Sequence, residues 1–218
     1  MYKEILKKIE GKAQLVAVSK THAPKKIMAL YEQGQRIFGE NRIQEMVEKQ
    51  ELLPEDIAWH MIGHVQTNKV KYIASFVDLI HSGDSLKVLK EINKQAKKVD
   101  RTIRCLLQFK IAAEDTKYGL TLADAKQVLE SEAFQNMENV QICGVMGMAT
   151  FTDDQEQIRR EFAQLRQTFE ELKRDYFAGQ PHFKEISMGM SGDYEIALEE
   201  GSTMVRIGSL IFGPRERA

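Results

Sequence analysis

The sequence has few cysteines, no long apolar run and almost no net charge. Only 2 of its 218 residues are Cys, which leaves no disulfide framework and suits a reducing compartment. Lys and Arg number 31 against 32 Asp and Glu, so no global field attracts a nucleic-acid backbone. No run approaches the roughly 18 apolar residues of a membrane span, and the N-terminal MYKEILKKIE lacks a signal-peptide core. We therefore predict a soluble, cytoplasmic protein that binds neither nucleic acid nor membrane.

The two cysteines lie in apolar stretches of the chain. Cys105 is in RCLLQF and Cys143 is in VQICGVM. No obvious partner group accompanies either thiol. We interpret both as buried strand residues rather than catalytic thiols.

Short apolar, β-branched runs alternate along the chain with longer stretches of helical periodicity. The predicted strands are LVAVS (15–19), RIFG (36–39), AWHMIG (58–63), DLIHS (78–82), IRCLLQF (103–109), VQICGVM (140–146), FKEISM (183–188) and MVRIGS (204–209). The predicted helices are PKKIMALYEQ, RIQEMVEKQEL, TNKVKYIASF with Thr67 as N-cap, SLKVLKEINKQAKKV, TLADAKQVLES, DDQEQIRREFAQLRQTFEELKRDY and SGDYEIALEEG.

Strands separated by single helices predict a parallel sheet with right-handed crossovers. With eight such units, closure into a TIM-type (β/α)8 barrel is the natural solution. The alternative is a doubly wound open sheet, but no GxGxxG follows the first strand. We expect an α/β protein with one barrel domain over residues 1–218.

In a barrel of this kind, the chemistry lies where strands end and the following loops begin. The polar residues predicted there are Lys20, Thr21, Glu40, Asn41, His64, Gln66, Asn68, Ser82, Asp84, Lys110, Ser187, Ser191, Arg206 and Ser209. The last two units carry the small-residue segments MGMSGD and RIGS. Such loops are typical of a barrel phosphate site, where backbone N–H groups hold a dianion.

Lys20 directly follows the apolar strand LVAVS. A lysine in this position places its amine in the barrel mouth above an apolar stem. Desolvation favours the neutral amine, and only the neutral amine attacks an aldehyde. The alternative is a lysine that merely extends to the solvated rim.

Arg206 interrupts the apolar strand MVRIG, and a buried arginine needs an acceptor. It could form a structural ion pair, or donate to a ring nitrogen or an anionic ligand. Asn41 could cap the helix predicted to begin at Arg42, or contact a ligand. The sequence leaves both alternatives open.

The segment WHMIGHVQTNK contains two histidines. We interpret His60 as a satisfied core residue, and we predict no metal site with His64, because no HExxH is present. Gln66 and Asn68 could close the loop by hydrogen bonds or contact a ligand.

The motifs VSKT, FGENRIQE, WHMIGHVQTNK, SMGMSGDYEIAL and VRIGSLIFG together resemble those of the YggS/PROSC family of pyridoxal-phosphate homeostasis proteins. The resemblance extends from Leu15 to Gly213. It implies a single barrel similar to the N-terminal domain of alanine racemases, with pyridoxal phosphate as cofactor. It also implies a carrier or regulator of cofactor supply without an established catalytic activity.

The resemblance further implies which residues hold the cofactor. They are Lys20 for the Schiff base, Asn41 and Met148 near the ring, Arg206 at the pyridine nitrogen, and Ser191, Gly208 and Ser209 at the phosphate. The sequence departs from the family at Lys110, where relatives often have Asn before the segment written here as AAEDTKYG.

An amino-acid racemase is the competing hypothesis. A two-base racemase needs an acid or base on each face of the cofactor, and Lys20 could serve only one. In racemases a tyrosine from an additional domain serves the other face across a dimer interface. We expect a monomer without that domain, because the chain ends at Ala218. Arg206 keeps its proton, so the pyridine nitrogen stays unprotonated and the ring is a poorer electron sink.

We therefore expect no catalytic activity, and apo-enzymes that need pyridoxal phosphate are the expected partners. A third possibility is a protein-binding module that uses the barrel surface. Composition and motifs do not exclude it.

Overall fold

A computed structural model of the chain describes residues 1–114 and 118–213. Its strands are β1 (Gln14–Val18), β2 (Ile37–Glu40), β3 (Ala58–Met61), β4 (Leu79–Gly83), β5 (Ile103–Phe109), β6 (Val140–Gly147), β7 (Glu185–Ser187) and β8 (Met204–Ile207). They form a closed barrel in sequence order, and parallel pairing of β8 with β1 closes it. The predicted TIM-type fold is confirmed, and the open sheet is wrong.

Helices cover the outside of the barrel. The α-helices are α1 (Tyr2–Ile9), α2 (Pro24–Tyr31), α3 (Ile43–Gln50), α4 (Leu86–Lys98), α5 (Leu122–Glu130), α6 (Glu132–Gln135), α7 (Gln155–Asp175), α8 (Tyr194–Glu199) and α9 (Ser209–Phe212). None of the helices within residues 1–114 and 118–213 is long and apolar enough to cross a membrane.

The connection between β3 and β4 differs from the prediction. A 3₁₀ helix over Thr67–Tyr72 replaces the expected α-helix. Thr67 is not the N-cap, since Gln66 occupies that position without a side-chain hydrogen bond. The missing cap and the β-branched Val70 and Ile73 lower the preference for an α-helix, and short connectors often adopt the tighter 3₁₀ turn.

The ends of the last two strands also differ. β7 covers only Glu185–Ser187, and Phe183, which precedes it, stacks on Phe177 with 4.1 Å between ring centroids. β8 ends at Ile207, and Ser209 begins α9 instead of ending the strand. Ser209 is therefore presented at the start of a helical turn.

Alternation along the strands separates the apolar residues into two layers. Those inside the barrel are Val16, Leu79, Leu106, Cys143, Met146 and Met204, and a larger cluster that includes Phe38, Trp59 and Cys105 packs against the helices. Both cysteines are free and buried, as predicted. Burial raises the pKa of the Cys105 thiol.

Candidate functional site

One cavity lies at the carboxyl ends of the strands and has a volume of about 630 Å³. Small-molecule sites commonly measure roughly 300–1,000 Å³. It is lined by all seven residues that the family resemblance assigns to the cofactor, namely Lys20, Asn41, Met148, Ser191, Arg206, Gly208 and Ser209. The barrel thus brings together residues from the loops or ends of β1, β2, β6, β7 and β8.

Strand register places Arg206 and Lys20 on neighbouring strands of the barrel. Val16 of β1 is opposite Arg206 of β8, so Arg206 lies on the strand next to the one that Lys20 follows. Val16 and Met204 point into the barrel interior, and Arg206 shares that direction because side chains alternate along a strand.

Only some of the other polar residues predicted at the mouth reach the cavity. His64 lines it, whereas Thr21, Glu40, Gln66, Asn68, Ser82, Asp84, Lys110 and Ser187 do not. Gln66 and Asn68 are exposed, which favours a role in the loop over ligand contact. Glu40 and Ser187 are fully buried. Glu40 contacts Lys49 of helix α3, whereas Ser187 contacts Arg206.

The loop that carries Lys20 is held on both of its sides. The Ser19 hydroxyl donates to Glu40 Oε1 at 2.6 Å, and Lys49 Nζ donates to the Ser19 carbonyl at 2.8 Å. The Thr21 amide donates to Glu45 Oε1 at 2.5 Å. Thr21 has a φ of 65°, a left-handed conformation that costs free energy in a β-branched residue and therefore needs such support.

These contacts belong to a buried ionic cluster formed by Glu40, Glu45 and Lys49. Lys49 Nζ lies 2.7 Å from a carboxylate oxygen of each glutamate, and its side chain is only 6% exposed. Burial raises the pKa of Glu40, while the charge of Lys49 opposes that shift. Within the described part of the chain, Glu40 Oε2 is buried without a hydrogen-bond partner. The sequence did not single out Lys49, because Glu45 and Lys49 have the i,i+4 spacing of an ordinary surface pair.

Asn41 does not cap the helix that follows it. Helix α3 begins at Ile43, and Arg42 occupies the N-cap in an extended conformation without a side-chain bond. The capping interpretation is therefore wrong, and Asn41 lines the cavity. Gly63 allows this packing, since a Cβ at that position would lie 2.2 Å from the Asn41 carbonyl oxygen.

On the other side of β1, Arg206 is buried. It donates from Nη1 to Ser187 Oγ at 2.6 Å and from Nη2 to the Gly147 carbonyl at 3.1 Å. Burial lowers the pKa of Arg206 to about 10, and the carboxylate of Asp193 opposes that shift. A group with this pKa is still a cation at neutral pH. Both of these acceptors are neutral, unlike the carboxylates around Lys49.

Ser187 is also the first member of a line of hydrogen-bonded, buried side chains inside the barrel. His81 Nδ1 lies 2.9 Å from Ser187 Oγ, and His81 Nε2 lies 3.0 Å from His60 Nδ1. His60 Nε2 lies 3.1 Å from Asp78 Oδ2. The interpretation of His60 as a satisfied core residue is confirmed.

His64 is separate from this line, because its Nδ1 lies 3.1 Å from Asp84 Oδ2 at the mouth. Among residues 1–114 and 118–213, no three His, Cys, Asp or Glu side chains converge in a way that could hold a metal ion.

The small-residue side of the cavity is tightly built. A Cβ on Gly208 would lie 3.0 Å from the Val18 carbonyl oxygen, so a side chain there would press against β1. Ser209 is the first residue of α9, and the first N–H groups of a helix have no intrahelical acceptor. Hydroxyls and amides of this kind form a donor set suited to a phosphate dianion.

The structure adds several cavity residues that the sequence did not indicate. They include His22, Gln108, Tyr118, Phe151 and Asp193. His22 stacks on Phe212 with 4.8 Å between centroids, and Gln108 Nε2 donates to the Tyr118 carbonyl at 3.0 Å. Gln108 had a usable signal, since it is a polar residue inside the apolar strand IRCLLQF.

A closed barrel with a lysine after β1, an arginine on β8 and a small-residue rim defines a barrel of the alanine racemase N-terminal type. The family model described as "Alanine racemase, N-terminal domain" matches residues 2–216. Relatives named "Pyridoxal phosphate homeostasis protein" include one from Aquifex aeolicus, 40% identical over 95% of this chain and 89% of its own. Another from Escherichia coli is 36% identical over 93% of this chain and 86% of its own. This chain belongs to the family of pyridoxal phosphate homeostasis proteins, which confirms the resemblance.

Solved structures agree with this assignment. PipY of Synechococcus elongatus, solved without PLP, has a TM-score of 0.90 and 34% identity over 97% of this chain and 98% of its own. The same protein with PLP bound has a TM-score of 0.86. Alanine racemase from Bartonella henselae shares the fold, with a TM-score of 0.72, but is 15% identical, and 57% of its chain is covered.

Proposed function

We propose that this protein binds pyridoxal phosphate as a Schiff base on Lys20 and acts in its homeostasis as a carrier or regulator. The observation that carries the proposal is the convergence of Lys20, Arg206 and the rim of Ser191, Gly208 and Ser209 on one cavity. Relatives that share 36–40% of the sequence are named for this role. PipY, which is 34% identical, has been solved with PLP bound.

The residues of the cavity fit the proposed cofactor part by part. When bound, pyridoxal phosphate supplies an aldehyde that condenses with a primary amine and loses water. Lys20 supplies that amine, and Arg206 supplies an N–H donor for the pyridine nitrogen. The rim residues Ser191, Gly208 and Ser209 supply donors for the phosphate, and Asn41 and Met148 lie beside the ring.

We propose that the protein is not an enzyme. An arginine donor leaves the pyridine nitrogen unprotonated, which makes the ring a poorer electron sink. The likeness to racemases extends only to the fold at this level of identity. Pure protein should therefore fail to interconvert the alanine enantiomers. A turnover that is abolished by Lys20→Ala would contradict the proposal.

The proposed partners are apo-enzymes that need the cofactor. Cytoplasmic location and a monomeric state stay predictions. Mixing the loaded protein with an apo-enzyme and measuring the rate of reconstitution tests the carrier role. Reconstitution faster than free pyridoxal phosphate allows at equal concentration supports transfer by contact. A rate limited by release from the loaded protein supports a buffering role instead.

The attachment point is tested by borohydride reduction followed by peptide mass spectrometry. We expect a visible Schiff-base absorbance band, and after reduction a pyridoxyl group on Lys20. Lys20→Ala should lose both the band and the adduct. Lys110→Ala is the matched control, because Lys110 also follows a strand but does not line the cavity, and it should keep both. An adduct of equal yield in Lys20→Ala would place the attachment on another lysine.

A further inference from the structure

The barrel interior contains a continuous line of hydrogen-bonded side chains that runs between Arg206 and Asp78. Successive partners are Arg206 to Ser187 at 2.6 Å, Ser187 to His81 at 2.9 Å, His81 to His60 at 3.0 Å and His60 to Asp78 at 3.1 Å. All except Asp78 are at most 4% exposed. Polar side chains this deeply buried are rare in a barrel interior, which is normally filled by branched apolar residues.

The proton positions along this line follow from its two ends. Asp78 is held as a carboxylate, since the hydrogen bond from His60 lowers its pKa. It only accepts, so His60 Nε2 carries the proton. Burial lowers the pKa of both histidines, so both are neutral. His60 Nδ1 therefore accepts from His81 Nε2, and His81 Nδ1 accepts from the Ser187 hydroxyl.

The directions of the hydrogen bonds at the Arg206 end of the line follow in the same way. The Ser187 hydroxyl gives its one proton to His81, so its oxygen accepts from Arg206 Nη1. Every donor thus points the same way, from the guanidinium cation to the carboxylate of Asp78. Reversing any one link would leave a buried donor facing a donor, which costs about 1–3 kcal/mol.

We propose that Ser187, His81, His60 and Asp78 are positioning residues that fix the orientation of Arg206 toward the pyridine nitrogen of the bound cofactor. This inference rests on the proposed function. Ser187 and the Gly147 carbonyl hold the two terminal nitrogens of the guanidinium, so its plane and rotation are set from below. The same group lines the cavity, where its orientation determines which N–H a ligand meets.

The arrangement also preserves the charge of Arg206 for the ligand. A carboxylate in direct contact would compete with the ligand for the guanidinium donors. Here the two groups that hold Arg206 from below, the Ser187 hydroxyl and the Gly147 carbonyl, are both neutral, and the carboxylate of Asp78 at the other end of the line is paired with Arg104. A purely structural line of core polar groups would stabilise the fold but would not alter the properties of a bound cofactor.

The first test compares two buried serines on the same side of the barrel. Ser187→Ala removes the acceptor of Arg206, whereas Ser202→Ala removes a hydroxyl that bonds only the carbonyls of residues 186, 188 and 204. We expect Ser187→Ala to raise the Kd for pyridoxal phosphate about tenfold, the equivalent of one hydrogen bond to a charged group. It should also shift the absorbance maximum of the bound cofactor. Ser202→Ala should leave Kd within about twofold and the band in place, although both variants lose stability to urea.

The second test substitutes Asp78, at the opposite end of the line from Arg206. Unfolding is less of a risk there, because the Asp78 side chain is 36% exposed. In Asp78→Asn, the new side-chain amide can donate to His60 Nε2. Both histidines can then carry their proton on Nδ1 instead of Nε2, so His81 no longer accepts from the Ser187 hydroxyl. We expect Kd to rise about threefold and the band to shift, although Asp78 does not line the cavity. Arg104→Gln is the matched control, since it breaks the Arg104–Asp78 ion pair but keeps the carboxylate.

The outcomes separate the two hypotheses. If the unmodified protein forms no Schiff-base band with pyridoxal phosphate, the proposed function fails. The positioning inference is tested only when the unmodified protein binds pyridoxal phosphate. It is overturned if Ser187→Ala then has the same Kd and band position as Ser202→Ala, and Asp78→Asn has the same Kd and band position as Arg104→Gln.

Discussion

The fold supports two buried cations, Lys49 and Arg206, in opposite ways. Lys49 has two carboxylates in direct contact, at 2.7 Å each. Arg206 donates to a serine and a carbonyl, and a line of neutral side chains connects it to Asp78. Lys49 does not line the cavity, whereas Arg206 does. The comparison teaches that a cation used only for architecture can be neutralised by carboxylates in direct contact, while one meant for a ligand is held by neutral acceptors.

The largest effect should come from breaking the directly paired side. Lys49→Met leaves Glu40 buried and unpaired, and removing one partner of a buried ion pair typically costs about 3–5 kcal/mol. Urea unfolding of the apo-protein measures this loss. Lys126→Met is the control, because it breaks the part-exposed pair with Glu171 and should cost less than about 1 kcal/mol. Equal losses in the two variants would show that the buried cluster has no special role.

The phosphate side of the cavity extends the comparison to a region of serine and glycine residues. Ser191→Ala with Gly208→Val removes a donor and presses a side chain against Val18, which displaces the backbone at Gly208. Each lost hydrogen bond to a charged group costs about 1.5–3 kcal/mol, so affinity for pyridoxal phosphate should fall about tenfold or more. Equilibrium dialysis measures it. Unphosphorylated pyridoxal should bind weakly to the unmodified protein and change little in the variant. If the unmodified protein binds both aldehydes equally, the phosphate site is wrongly assigned.

A smaller effect is the pH dependence of stability that comes from the two buried histidines of the line. Burial lowers the pKa of His60 and His81 from the ordinary value of 6.5. The stability linked to these neutral histidines is present above pH 6.5 and is lost as the pH falls toward their folded-state pKa values, since the unfolded chain takes up protons first. The slope is at most about 1.4 kcal/mol per pH unit for each histidine.

Urea titrations between pH 7.5 and about pH 5 measure this slope. His60→Gln with His81→Gln should flatten it, and Lys126→Met, which removes only a part-exposed pair, should not. A double variant that keeps the full slope would assign the pH dependence to other groups.

The mouth of the barrel was predictable because its signals are local. Lys20 follows an apolar strand, and the segments MGMSGD and RIGS are rich in small residues, so the fold needs only to close to bring them together. The family motifs added Asn41 and Met148. Helix ends were less predictable, as Asn41 and Thr67 show, because the cap depends on the conformation of the preceding loop and not only on residue type.

The positioning network was not predictable in the same way. His81 and Ser187 are separated by 106 positions in the chain and meet only because β4 and β7 face each other across the barrel interior. No sequence pattern in either strand indicates that these two side chains are in contact. Lys49 likewise has the spacing of a surface residue, and only the packing of α3 against β2 buries it.

By itself, the sequence determined the alternation of strands and helices, and hence the barrel and the residues at its mouth, because hydrophobic periodicity acts over a few residues at a time. The tertiary structure alone decided which buried polar groups face one another. Closure of the barrel sets the strand stagger, and that stagger places Ser187, His81 and His60 in hydrogen-bond contact between Arg206 and Asp78. A buried polar group must find its partner wherever the fold puts one, which is a condition on three-dimensional position rather than on sequence.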